Sequence, residues 1–105
     1  MSRASLPPEL RDVAWPSPWI ATDAPLHDEL AREVSPRHPL AGRRALAIAR
    51  RGTADDVLFW LPDGPALLAM VHLTWRHETD PEWPYTQLFD SVEAWMAFEQ
   101  EDRAS

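Results

Sequence analysis

The chain has no cysteine, no lysine and no asparagine, and only three glycines and one tyrosine in 105 residues. Without cysteine there can be no disulfide, thiolate metal site or sulfur nucleophile. Without lysine, all ten basic residues are arginine. GC-rich codon usage produces that pattern without any requirement for guanidinium chemistry. No apolar run approaches the roughly 20 residues of a membrane span. The opening MSRASLPPEL also lacks the apolar stretch of a secretory signal, so the expected compartment is the cytoplasm, with no membrane partner. Positive charge is scarce as well. The net charge is −7, and phosphate contacts need a basic surface, so no nucleic-acid partner is expected.

What is present is enough apolar material for one core: 45% of the chain, with six tryptophans. That fits a single domain. Residues 1–22 carry Pro7, Pro8, Pro16 and Pro18 around Trp15 and Trp19. Proline removes backbone donors and fixes φ, so this segment reads as an extended arm packed on the domain through its tryptophans. Residues 23–105 read as a single α+β domain. A helix is expected over TDAPLHDELAREVSP, capped by Thr22 or Asp23 and ended by Pro36, with Leu26, Leu30 and Val34 in one apolar stripe.

Three extended segments follow: RALAIARR, DDVLFWL and ALLAMVHLTW, the last two joined at the turn signal LPDGP. In the first, the alanines of one face invite a closely packed cover. DVLFWL is apolar on both faces. A second helix is expected over FDSVEAWMAFEQED, capped by Asp90, with Val92, Trp95 and Met96 inward and an acidic outer face. The fold class expected is α+β: a three-stranded or slightly larger antiparallel sheet flanked by an N-terminal and a C-terminal helix, both on one face.

VHLTWRHETDPEWPYT concentrates the residues able to do chemistry. Strand alternation makes Val71, Leu73 and Trp75 core and turns His72, Thr74 and Arg76 to the other face. His72 could pair with Asp56, Glu78 or Asp80, but one histidine beside an acid is common in proteins that catalyse nothing. HETDPE has ligand-type residues without a metal-binding spacing, and neither Ser35 nor Ser91 sits in a nucleophile motif. No catalytic residue, metal or cofactor is expected. Trp83 and Tyr85 lie in a proline-stiffened loop, expected to peg it to the sheet; exposed, they would form the best binding surface in the chain. Arg37, His38, Arg43 and Arg44 could form a small anion site.

The segments HPLAG, DDVLF, VHLTW and WPYT, spread over about Glu33 to Trp95, resemble the signature of a group of small uncharacterised bacterial proteins. The resemblance implies a shared fold and no particular activity. It adds His38, Asp56, His72, Thr74, Trp75 and Trp83 as signature residues that matter if they gather in space.

The function expected is that of a small non-catalytic binding or accessory protein, immunity- or antitoxin-like, a monomer or homodimer. Eight acids and no base lie between Glu78 and Asp102, so a basic protein partner would be steered to Glu93, Glu99 and Glu101 of the last helix. The alternative is a small-molecule-binding domain or enzyme with a pocket around His72, Thr74, Arg76 and Trp83, and His38, Asp56 and Tyr85 complete the candidate binding residues.

Overall fold

The computed structural model describes residues 6–52 and 54–104, with side chains up to residue 101. Its elements in chain order are α1 (Pro8–Arg11), β1 (Trp19–Ala21), α2 (Leu26–Glu33), β2 (Leu46–Arg51), β3 (Asp56–Trp60), β4 (Leu68–His72), β5 (Tyr85–Phe89) and α3 (Val92–Ala104). The fold is α+β. The five strands pair antiparallel in the order β1-β2-β3-β4-β5, each beside its chain neighbour.

β3 lies at the centre, and Val57, Leu58 and Phe59 are fully buried in it. A strand buried on both faces needs cover on both, and the structure supplies it from two layers. On one face, Leu58 and Leu68 pack with Phe89, Val92 and Trp95, and with Leu6, Leu10 and Trp19 from the N-terminal arm. On the other, Val57, Phe59, Ala69 and Val71 pack with Leu30 of α2 and with Leu40. α2 and α3 therefore cover opposite faces, not one.

Ala47 belongs to the α2 layer, where its small side chain admits the helix. An irregularity in the β2–β3 pairing between Ala47 and Ala49 turns Ile48 and Ala49 together into the other layer.

The arm is not simply extended. α1 takes one turn with proline in its first positions, where a missing N–H is tolerated. β1 then joins the sheet beside β2. Both helix caps also differ from expectation. Thr22 Oγ1 accepts from the Ala24 N–H ahead of α2, whose cap position is Pro25. Ser91 Oγ, rather than Asp90, accepts from the Ala94 N–H at the start of α3. The segment expected as loop up to Phe89 contains β5, paired with β4 along its whole length. Among the described residues, no helix is long and apolar enough to cross a membrane.

Candidate functional site

β4 ends at His72, and the chain beyond it folds onto the C-terminal end of α2. Glu33, the last residue of α2, is fully buried. Its Oε1 accepts from the Thr74 backbone N–H at 2.8 Å and from the Thr74 hydroxyl at 3.1 Å. Its Oε2 accepts from the Trp75 N–H at 2.8 Å. The last helical carbonyls, which lack intrahelical partners, are met by the same loop: Arg32 O by His77 Nδ1 at 3.0 Å and Glu33 O by the Glu78 N–H at 2.9 Å.

Burial pushes the Glu33 carboxyl above its ordinary range, and the Glu29 carboxyl one turn earlier adds to the rise, against the pull of the Thr74 and Trp75 bonds. Glu29 is held low, chiefly by its hydrogen bond with Glu33 and then by Arg32.

This clamp changes the fate of Trp75. Alternation beyond β4 makes it core, yet it is 44% exposed. Its φ is +62°, a left-handed conformation that side chains other than glycine rarely adopt. Besides the Glu33 bond to its N–H, its indole N–H donates to Asp55 Oδ1 at 2.8 Å. The Arg50 guanidinium stands 6.0 Å from the ring centre. Trp83 and Tyr85 are also exposed, at 44% and 56%, so they are not the pegs expected of them.

His72 lies between these aromatics, its side chain half exposed. Its Nδ1 is 2.9 Å from Asp56 Oδ1, directly across the β3–β4 pair, and Arg51 Nη1 is 3.5 Å from Asp56 Oδ2. A carboxylate can only accept here, so Nδ1 carries a proton, and the ring in its neutral form keeps its lone pair on Nε2. Two open hollows flank the ring and share Trp83. One, of about 480 Å³, lies on the α3 face with Met70 and Phe98 at its apolar side and Tyr85 at its rim. The other, of about 420 Å³, lies beyond the end of β4, lined by Asp55, Thr74, Trp75, Arg76 and Glu78.

Of the expected site residues, the structure thus brings Asp56, His72, Thr74, Arg76, Trp83 and Tyr85 around one end of the sheet. Thr74 is committed to Glu33, and Arg76 is an outer residue only loosely paired with Glu78 at 3.4 Å. His38 is not among them. It is buried on the α2 face, where its Nδ1 accepts from the Leu40 N–H and its Nε2 meets the Pro84 carbonyl at 2.9 Å, so both ring nitrogens are used internally. The neighbouring arginines do not gather into an anion site: Arg43 donates to the Gly64 carbonyl, and Arg44 lies 3.9 Å from Asp63.

The acidic face of α3 is also smaller than expected. Glu99 is buried and accepts from the Trp19 indole N–H, which leaves Glu93 and Glu101 exposed.

Sequence reasoning missed Glu33 and Asp55. A signal for Glu33 existed. At 3.6 residues per turn it lies only about 60° from Leu30 around the helix, at the edge of the apolar stripe. No family model matches the chain, and neither a curated protein nor a solved structure is similar to it.

Proposed function

We propose that this chain is a small non-catalytic protein-binding module, an accessory protein of the immunity or antitoxin kind, and that its partner docks at the His72 end of the sheet. Trp75 carries the reading. A half-exposed tryptophan is held at positive φ by a buried carboxylate, a second carboxylate on its indole and an arginine over its ring. Strained residues persist only where their surroundings over-determine them, and they cluster at binding sites. Tryptophan, tyrosine and arginine are also the residues that dominate interface energetics. With Trp83 and Tyr85 beside it, Trp75 gives this end a pre-organised aromatic surface. The likeness of HPLAG, DDVLF, VHLTW and WPYT to a bacterial group belongs to the same reading.

A random-peptide display selection on the folded protein tests it. Selected peptides should bind wild type and weaken about thirtyfold on Trp75→Gly or Trp83→Ala, the scale of a hot-spot residue of about 2 kcal/mol. Peptides that bind both variants as well as wild type would overturn the proposal.

One observation favours a second reading. Asp56 engages Nδ1 of a His72 ring that lines both hollows, and in the neutral ring Nε2 is left to act as a general base held by a carboxylate. Hydrolysis of activated esters by wild type and not by His72→Gln would support it, and equal rates would remove it.

A further inference from the structure

We infer that the hollow between Trp75 and Trp83 captures an arginine side chain of a basic protein partner. The inference rests on the binding-module reading and names the group that the surface receives.

Two exposed indoles line one hollow. Flat aromatic faces are what a planar guanidinium stacks on, and tryptophan is the strongest aromatic partner for a cation. The chain already uses the Trp75 ring in this way, since Arg50 stands 6.0 Å from its centre.

The polar groups of the same hollow favour a cation. Asp55 and Glu78 supply two carboxylates to the lining against one guanidinium, Arg76, while Arg50 stands at the Trp75 ring beside it. Asp55 uses Oδ1 for the Trp75 indole, and no hydrogen bond to its Oδ2 occurs among the described residues. Glu78 is part-buried, and among the described residues its ion pair is with Arg76, a side chain 79% exposed and reaching it only at 3.4 Å. An exposed pair of that length contributes little, so an incoming guanidinium can displace Arg76 and take a fork on Glu78 with better geometry.

Long-range charge acts in the same direction. The chain carries −7 overall, and the loop that brings Trp83 also carries Asp80 and Glu82, both exposed. Such a surface accelerates encounter with a basic partner. An anion, by contrast, would meet Asp55 and Glu78 in the lining.

The test is an NMR titration of the indole N–H resonances of Trp75 and Trp83 with N-acetyl-arginine amide, its neutral citrulline analogue and N-acetyl-lysine amide. Saturable shifts of both resonances with the arginine compound are expected. Binding should be at least about threefold weaker in Glu78→Gln and weaker again at 0.5 M salt, where the Debye length falls to a few ångströms. The citrulline compound should leave the resonances unmoved. Equal shifts with citrulline would show that positive charge plays no part. Equally tight binding of the lysine compound would overturn the guanidinium assignment. Either outcome, combined with selected peptides that still depend on Trp75, removes this inference and leaves the binding module standing. Peptides indifferent to both Trp75 and Trp83 remove both.

Discussion

Trp19 and Trp75 are held by the same chemistry to opposite ends. Each donates its indole N–H to a carboxylate, Trp19 to Glu99 and Trp75 to Asp55. Trp19 is buried, with its ring edge-on to Trp95 at 5.1 Å, and ties the arm to α3. Trp75 stands in solvent in a strained conformation. In the first region the polar bond lets a large apolar ring enter the core without leaving its N–H unpaired. In the second, polar bonds hold a large apolar ring out of the core. The residue type and its partner do not decide between these outcomes; the backbone does. Trp19 lies on a strand whose face meets α3, while Trp75 follows a turn that Glu33 has fixed.

The comparison breaks first at its buried member. Trp19→Ala should lower the unfolding free energy by about 3–5 kcal/mol, as large-to-small changes of buried aromatics do, and it also leaves the buried Glu99 without its donor. Urea denaturation gives the value, and a loss below about 1 kcal/mol would show that the arm contributes little to the core. Glu33→Ala comes next. It leaves the Thr74 and Trp75 N–H groups without acceptors, so a loss of about 2–3 kcal/mol is expected. It should also free the Trp75 ring, which the heteronuclear NOE of the Trp75 indole N–H would report in a chain that keeps its other tryptophans.

How far the sequence foretold these two regions follows from the physics of each. β3 and β4 were legible because they are central strands with unbroken apolar runs, joined at a turn where Gly64 takes positive φ. β1 and β5 were not. Both are edge strands: β1 has three residues after a proline cluster, and β5 buries only Phe89. With so little to bury, neither carries a period-two signal. The opposed placement of the helices was implicit in a β3 apolar on both sides, but the two helical stripes alone do not say which face each meets. At the site, Asp56, His72, Trp83 and Tyr85 could be named because their residue types are informative. Trp75 was misplaced because alternation holds only while the strand continues, and β4 ends at His72, three residues before the left-handed Trp75. Glu33 was missed because a carboxylate at the edge of an apolar stripe makes sense only once the N–H groups it receives, 41 and 42 positions away, are in view.

A milder perturbation of the clamp is pH. Glu33 is raised, so its contribution is complete below the ordinary value of 4.5 and declines as pH climbs through its folded pKa. Glu29 is lowered, so its contribution is present above 4.5 and is lost as pH falls through its folded pKa. The pair therefore stabilises the fold most near pH 4.5 and less on either side. The stability difference between wild type and Glu29→Gln, measured across pH 2–9, should peak there. A difference that rises with pH and then stays level would show that the two carboxyls titrate independently, and one that does not vary with pH would show that Glu29 is not held low.

The smallest expected effect on stability is the most informative for function. Trp75→Gly removes the left-handed strain of a residue with a Cβ, worth about 1–2 kcal/mol. Against that gain stand the greater chain entropy of glycine in the unfolded state, about 0.5–1 kcal/mol, and the loss of the half-exposed contacts of the ring. The terms nearly cancel, so the unfolding free energy should change by no more than about 1 kcal/mol, while peptides selected on wild type should lose about thirtyfold in affinity. Trp19→Ala should show the reverse: a large loss of stability, with affinity unchanged for the molecules that remain folded. If Trp75→Gly instead destabilises the fold as much as Trp19→Ala, then Trp75 is a structural peg like its buried counterpart. The strain at residue 75 would then serve packing, and the case for a binding surface at the His72 end would fall with it.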